Sequence, residues 1–440
     1  MATSTAKRAN GGPSGRRVAI LAGLRTPFFK AGGPFRDLSA LELGQAVVAE
    51  LLERAAVPPG EVNQVVFGQV IPSVAAPNIA REIVLGTGMP RTTDAYSVSR
   101  ACATSIAALS DAAGAIATGN ADLVIAGGAE CMSDVPILYS RNVANALLAA
   151  QKAKSLGGKV RAFASLHARD LVPVPPALAE PSTGLTMGES AEKMAKENSI
   201  SRAAQDEFAL RSHKLAAAAW AAGKYDAEVM HLHVPPKYEQ TVSRDGIVRA
   251  DMTLEQAAAL KPVFDKKYGT ITAANSSPLT DGAAALVVAS DEWARAHGKK
   301  PLGYLRAFAY AAVDPNWQLL SAPPIAAARA LERAGMTLRD IDLVDMHEAF
   351  SAQVLSNLAA MASKSFAREH IGREEPVGEV PLDRLNLNGG SIALGHPFAA
   401  TGARMVTTAL HELARRGGQS ALLTLCAAGG LGAAVVLERQ

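Results

Sequence analysis

A segment of this chain occurs twice. Leu51-Leu-Glu-Arg-Ala-Ala-Val57, followed by Glu61-Val-Asn-Gln-Val-Val-Phe-Gly-Gln69, lies over Ala330-Leu-Glu-Arg-Ala-Gly-Met336 and Asp340-Ile-Asp-Leu-Val-Asp-Met-His-Glu348 at a constant offset of 279 residues. Each copy reads as a helix, a turn and a strand. Further along, the helical stretch Ala103 to Thr118, Gly119-Asn120, the strand Leu123 to Ala126 and Gly127-Gly128 recur as Thr401 to Arg416, Gly417-Gly418-Gln419, Leu422 to Leu425 and Gly429-Gly430. The offset is larger there, so the connecting loops differ in length. Solenoid repeats have periods of about 20–50 residues. A repeat this long therefore predicts two similar α/β halves, not a stack of small units.

At 440 residues the chain exceeds what one hydrophobic core commonly supports, and its 49% apolar content with only 5% aromatics favours close packing through Ala, Gly, Val and Leu. Short continuous apolar runs such as Val18 to Leu21 and Ala284 to Val288 alternate with helical periodicity. They predict strands covered by helices on both faces. Asp291 to Gly298 reads as a short helix with an acidic first turn and a glycine stop, closing the first half. The pattern breaks between Ser133 and Pro262, where polar helices (Gly188 to Glu197 and Ser201 to Ala222), a proline-rich stretch (Val172 to Pro181) and many lysines occur. The expected organisation is a disordered extension over 1–16, an N-terminal half over 17–133 and 263–298, an inserted loop domain over 134–262, and a C-terminal half over 299–440.

Forty-four basic and forty-one acidic residues give a formal charge of +3, too balanced for a nucleic-acid binder. Three cysteines and no Cys-x-x-Cys pair argue for free thiols in a reducing compartment. His231-x-His233 lacks an evident third ligand, so no metal is expected. The first seventeen residues are small, polar and basic, with no apolar core, and are not a secretory signal. Cytoplasmic location in a bacterium is expected, while organelle import directed by this basic segment stays open. No apolar run is long enough to span a bilayer.

Cys102 follows the strand-like Tyr96 to Arg100 and precedes a helix, where exposed N–H groups and the helix dipole are expected to favour thiolate. His396 is held between Gly395 and Pro397, a context that disfavours helical backbone and suits a general base at a loop–helix junction. Cys426 ends the apolar run Ala421 to Leu425 and is followed by Gly429, Gly430 and Gly432, which let backbone approach a ligand. His347-Glu348 stands at the C-terminal end of a repeated strand, where open α/β sheets bind ligands. Any one of these residues alone reads as buried filler. Cys131 has no such companions and is expected to be structural.

Cys102, His347-Glu-Ala-Phe350, Gly395-His-Pro397 and Cys426-Ala-Ala-Gly-Gly430 together resemble the motif set of thiolases, in order and over nearly the whole chain from about Arg17. Met187-Gly-Glu-Ser-Ala191 and Thr272-Ala-Ala-Asn275 leading to Asp281-Gly-Ala-Ala284 resemble further segments of that family. Histidine before Glu-Ala-Phe, and Ala-Ala after the second cysteine, resemble the β-subunit of the fatty-acid oxidation trifunctional complex and its bacterial counterparts.

The resemblance implies a five-layered αβαβα thiolase fold of two halves with a loop domain, and thiolytic cleavage of 3-oxoacyl-CoA by coenzyme A in β-oxidation. Cys102 would be acylated, His396 would take its proton, and Cys426 would serve as acid and base. His396 and a water held by His347 would stabilise the enolate, and the N–H groups of Cys102 and Ala428 the tetrahedral oxyanion. Ser277 would lie near the pantetheine and Met187 along the acyl or pantetheine tunnel, with Arg202, Arg211 and Lys261 as candidates for the 3′-phosphate. Coenzyme A is a substrate, so no cofactor is implied. A homodimer or homotetramer, and pairing with a hydratase-dehydrogenase α-subunit, are implied partners. Ala428 and Ala399 stand where relatives commonly carry glycine, which questions the oxyanion donor and the helix start. Rival readings are a biosynthetic acetoacetyl-CoA thiolase, a decarboxylating ketoacyl synthase, which typically has histidine in the place of Cys426, and an idle acyl-CoA carrier.

Overall fold

The computed structural model describes residues 16–173 and 179–440. The extension expected over 1–16 lies, apart from Arg16, outside the described residues, as does part of the proline-rich stretch.

The first half runs β1 (Val18–Arg25), β2 (Phe29–Lys30), α1 (Ala40–Arg54), β3 (Gln64–Gly68), α2 (Ile79–Gly86), β4 (Asp94–Val98), α3 (Thr104–Ala117) and β5 (Leu123–Glu130). The insertion contributes α4 (Arg141–Lys152), α5 (Leu156–Arg161), α6 (Met187–Glu197), α7 (Arg202–Ala221), a hairpin of β6 (Leu232–Val234) and β7 (Gln240–Val242), and α8 (Leu254–Ala258). The chain then returns to the first half through β8 (Thr280–Ser290) and α9 (Asp291–Ala296). The second half is β9 (Gly303–Ala312), α10 (Ala322–Ala334), β10 (Leu343–Met346), α11 (Ser351–Ala362), α12 (Lys364–Phe366), α13 (Ser391–Leu394), α14 (Thr401–Arg416), β11 (Ser420–Ala427) and β12 (Leu431–Glu438).

Local chemistry sets these elements. Ser39 caps α1 and forms a capping box with Glu42, while Leu43, Val47, Val48, Leu51 and Leu52 recur at helical spacing and are buried. All eleven residues of β8 are buried, because β8 lies between β5 and β1 with helices on both faces. The first-half order is β4-β3-β5-β8-β1 and the second-half order is β10-β11-β12-β9. In each half the strands toward the free edge are parallel (β3 with β4 and β5; β10 with β11) and those toward the β1–β9 seam antiparallel. Ala19–Tyr304 and Ile20–Gly303 join the two sheets edge to edge through β1 and β9.

Five layers result. Helices α1 and α2 cover one sheet, α10 covers the other, and α3 with α14 fill the space between them. The central core draws on both halves: Ile106, Leu109 and Ile116 of α3 share it with Met405, Val406 and Leu410 of α14. Where these two helices begin, Ala403 N–H donates to Ser105 Oγ at 2.8 Å. The loops that precede them are thereby brought together.

The repeat extends to backbone conformation, since Ala56 and Gly335, matched in sequence, both adopt the left-handed region at φ 47° and 68°. One expected match is corrected. Gln64 pairs with Val124 and Leu343 with Ala421, so Gly128 answers to Leu425 and Ala129 to Cys426. Gly127-Gly128 lie inside β5, whereas Gly429-Gly430 form the turn between β11 and β12. Glycine occupies the strand at 128 for a packing reason: a Cβ there would stand 2.2 Å from the Ala399 carbonyl oxygen. Backbone on both sides leaves that contact little room to relax. Gly128→Ala is expected to lower unfolding stability by roughly 1–3 kcal/mol, measured by denaturant titration, and an unchanged midpoint would contradict this packing.

Candidate active site

Cys102 sits on a tight turn between β4 and α3. Ala101 is held at φ 45°, a conformation uncommon for a residue with a Cβ. Thr104 fixes that turn, its hydroxyl accepting from Arg100 N–H at 2.9 Å and donating to the Ala101 carbonyl at 2.6 Å. His396 lies on the matching loop before α14. Gly395 adopts φ 104°, which only glycine adopts readily, and a Cβ there would also meet Ile247 and Thr280. His347 follows β10, its N–H donating to the Thr424 carbonyl at 2.8 Å. Cys426 is the penultimate residue of β11 and is buried.

These loops converge. Cys102 Sγ and one ring nitrogen from each of His347 and His396 lie within 4.8 Å of one another. The two imidazole rings are 4.2 Å apart. His396 Nδ1 is paired with Thr401 Oγ1 at 2.6 Å and His347 Nδ1 with Ser391 Oγ at 2.9 Å, while both Nε2 atoms are buried without a partner in the protein. The N–H groups of Ala428 and of Cys102 itself lie close enough to the Cys102 sulfur to favour its thiolate form. Ala428 is absent from the residues with positive φ, so alanine is accommodated there without left-handed strain. Cys426 is close enough that ionised Cys102 would oppose its own ionisation.

Burial governs the protonation states. It pushes the Cys102 thiol up to about 12, outweighing the two N–H groups that favour thiolate. The expectation of a thiolate held by the helix terminus is therefore corrected: at rest the thiol is neutral. His396 is driven down to about 3 by burial and by the Arg404 guanidinium. His347 is held well below the usual imidazole range by burial, by His396 and by Arg404. Burial also raises Cys426, and the whole constellation is uncharged near neutral pH.

Two residues that support the site, Glu130 and Arg404, were not singled out in the sequence. Glu130, at the end of β5, accepts from Val70 and Ile71 N–H groups at 3.0 Å each and from Ala399 N–H, which ties the loop after His396 to the first half. Burial raises this carboxyl to about 7. Arg404 is fully buried on α14, beside Asp345 at 3.5 Å, and reaches Ser391 at 3.1 Å. Each had a signal: Glu130 is the one charge on an otherwise apolar strand, and Arg404 the one charge between Phe398 and Leu410.

Met187 opens α6 and packs on the cluster that contains Cys426 and Phe350. Ser277 donates through its hydroxyl to the Ala349 carbonyl at 3.0 Å, just past His347. Arg202 and Arg211 are occupied otherwise. Arg202 bonds Asp206 and the carbonyls of Ala257 and Leu260, and Arg211 bonds the carbonyls of Leu382 and Leu385. Lys261 is exposed. Cys131 is buried away from the site, its thiol donating to the Leu38 carbonyl. His233 is tied to Thr241 on the β6–β7 hairpin.

Two thiols, two neutral imidazoles with free Nε2 atoms and a pair of converging N–H groups, mounted on a duplicated five-layer scaffold, define an acyl-transferring enzyme. "Thiolase, N-terminal domain" matches residues 18–292 and "Thiolase, C-terminal domain" residues 299–439. The chain belongs to the thiolase family. It is 53% identical over 426 residues to a 3-ketoacyl-CoA thiolase of Pseudoalteromonas translucida, covering 97% of this chain and 98% of that one. It is 54% identical over 424 residues to a 3-ketoacyl-CoA thiolase of Aeromonas salmonicida, covering 96% and 97%. Among solved structures, the Bacillus anthracis acetyl-CoA acetyltransferase shares the fold at a TM-score of 0.84 and 32% identity, covering 98% of this chain and 100% of that one. Human mitochondrial 3-ketoacyl-CoA thiolase does so at 0.81 and 32%, covering 97% and 99%. Among the described residues no helix is long and apolar enough to cross a membrane.

The neutral thiol has a measurable sign. Because Cys102 is raised, its thiolate fraction keeps growing as pH rises past 9 instead of levelling off below the free-thiol value of about 8.5. Iodoacetamide labelling of Cys102, followed by peptide mass spectrometry, is expected to accelerate throughout pH 6 to 10 on the scale set by reference thiols. A plateau near neutrality would show an activated thiolate instead.

Proposed function

We propose that this enzyme cleaves 3-oxoacyl-CoA with coenzyme A, giving acetyl-CoA and an acyl-CoA shortened by one two-carbon unit, in the degradative direction of fatty-acid β-oxidation. The convergence of Cys102, His347 and His396 within 4.8 Å carries this reading. In the first step His396 Nε2 takes the Cys102 proton and the sulfur attacks the C3 carbonyl, whose oxyanion is received by the N–H groups of Cys102 and Ala428. Collapse breaks the C2–C3 bond and leaves an acyl group on Cys102. The departing acetyl-CoA enolate takes a proton at C2 from Cys426, while His396 and His347 face its thioester oxygen. In the second step Cys426 removes the proton of incoming coenzyme A, the new thiolate attacks the acyl-Cys102 thioester, and the leaving Cys102 sulfur recovers its proton from His396.

Three observations support these roles. The thiol is neutral at rest, so a base within reach is required, and His396 is neutral with a free lone pair. The two N–H groups both lie next to the nucleophile's sulfur, where donors to a developing oxyanion are needed. A second thiol stands near the first, which gives the enolate a proton donor distinct from the base that activated Cys102. No cofactor enters these steps. Ser277 and Met187 support a pantetheine path past α6 and Ala349. The identities of the relatives named above favour 3-oxoacyl-CoA as substrate, and the likeness to an acetyl-CoA acetyltransferase keeps acetoacetyl-CoA synthesis as the second reading.

Cys102→Ala is expected to abolish thiolysis, and His396→Ala to slow acylation by roughly 10²–10⁴-fold. Rapid quench with radiolabelled 3-oxoacyl-CoA, followed by peptide mapping, should place the acyl group on Cys102 alone, and dialysis against a chelator should leave the rate unchanged. Thiolysis surviving in Cys102→Ala would overturn the mechanism. A substrate series from short to long acyl chains, run in both directions, separates degradation from acetoacetyl-CoA synthesis.

The same reading extends to partners and place: a homodimer or homotetramer in the bacterial cytoplasm, joined by a hydratase-dehydrogenase α-subunit. Leu147, Leu148, Leu156, Val160 and Phe163 on and beside α4 and α5 are exposed, an apolar face of the kind that a second protein covers. Light scattering and affinity purification from the native host test this. A monomer, or an oligomer without the α-subunit, would contradict it.

A further inference from the structure

The proposed mechanism gives His347 the task of facing the substrate oxygen, and a neutral imidazole can do so either with a proton or with a lone pair. We infer that Ser391 and Arg404 are positioning residues that fix the His347 proton on Nε2, which makes this ring a hydrogen-bond donor into the active site. The inference rests on the thiolase reading for its consequence, but not for its geometry.

Arg404 is a pure donor. Its guanidinium has no acceptor atom and does not deprotonate in proteins, so the 3.1 Å contact of Nη2 with Ser391 Oγ occupies a serine lone pair. The serine hydrogen must then go elsewhere. Ser391 is fully buried at the start of α13, and its other hydrogen-bond partner among the described residues is His347 Nδ1 at 2.9 Å. If the hydroxyl donates there, Nδ1 and the serine hydroxyl are both satisfied, and the single proton of neutral His347 resides on Nε2, which has no partner among the described residues and is left for a molecule bound in the site. The reverse arrangement, with Nδ1–H donating to the serine, leaves a buried hydroxyl hydrogen without an acceptor, at a typical cost of about 1–3 kcal/mol. Asp345, 3.5 Å from Nη1, keeps the guanidinium in place from the other side. A doubly protonated ring is excluded by its burial and by Arg404, both of which disfavour charge on His347.

The two histidines then differ in kind. As the proposed base, His396 has to present a lone pair at Nε2, whereas His347 presents an N–H a few ångströms away. A donor at His347 also leaves both hydrogens of any water it holds free to face the substrate oxygen. The opposite tautomer would draw one of them away, so a serine outside the reacting atoms controls how many donors the developing enolate meets.

Two-bond ¹H–¹⁵N correlation spectra of the perdeuterated, ¹⁵N-histidine-labelled enzyme, with His347 assigned by its loss in His347→Asn, read the tautomer without any turnover. Wild type is expected to show His347 as a single Nε2–H tautomer. Ser391→Ala is expected to show a mixture and about a 10-fold lower kcat with KM changed less than about 3-fold, and Ser391→Thr, which keeps the hydroxyl, to restore both. A proton on Nδ1 in wild type, or an unaltered Nε2–H signal in Ser391→Ala, overturns the inference. Failure of the functional reading looks different: an Nε2–H tautomer in an enzyme that does not cleave 3-oxoacyl-CoA leaves the assignment intact and removes the thiolase role.

Discussion

Everything at the active site depends on how closely the two central helices begin. Helix α3 follows the nucleophile and α14 follows the base, and the bond from Ala403 N–H to Ser105 Oγ holds their first turns together at 2.8 Å. Residues about three hundred positions apart in sequence thus meet without a flexible connection. Duplication makes this economical in geometric terms. Two copies of one strand–loop–helix unit, related across the central layer, aim the loops before their helices at a common region, and one loop carries the thiol while the other carries the imidazole. The insertion completes the arrangement from outside, with Ser212 of α7 bonding the Glu348 carboxyl at 2.6 Å beneath the second loop.

The site so formed is largely buried, and burial decides its chemistry. Thiol, imidazoles and the second thiol are all displaced toward their neutral forms by burial. Proton transfer must therefore accompany bond making, with donors and acceptors aligned beforehand. Four ionisable groups are buried nearby. Glu130 is neutralised in part by three N–H groups, Arg404 faces Asp345, and Glu348 accepts from Ser212, Asn386 and Ile392. None of these carboxylates or guanidinium groups needs to touch substrate. Each holds a loop that does.

Much of this was legible in the sequence. Cys102, His347, His396 and Cys426 stand in short motifs whose glycines and proline constrain backbone, and the repeat announced the two halves. Other features were not. Matching Gly127-Gly128 to Gly429-Gly430 by composition failed because one pair serves strand packing and the other a turn, and only the pairing register distinguishes them. The thiolate expectation failed because a helix terminus is visible in sequence while desolvation is a property of the assembled core. Arg202 and Arg211 looked available for phosphate, yet their partners are backbone carbonyls from distant segments, which no local pattern reveals. Glu130, Ser391 and Arg404 act across elements, so their roles appear only when those elements meet.

The antiparallel pairing of β1 with β8 has a consequence for biosynthesis. Val18 faces Ser290 and Arg25 faces Ala284, with the entire insertion lying between them in the chain. Strand β1 therefore lacks its full partner on this edge until residue 290 has been made, a wait on the order of tens of seconds at ordinary translation rates. Its other edge waits longer, for Gly303 and Tyr304 of β9. The apolar strand β1 is made early and paired late, so the nascent chain carries an unpaired apolar edge through most of synthesis.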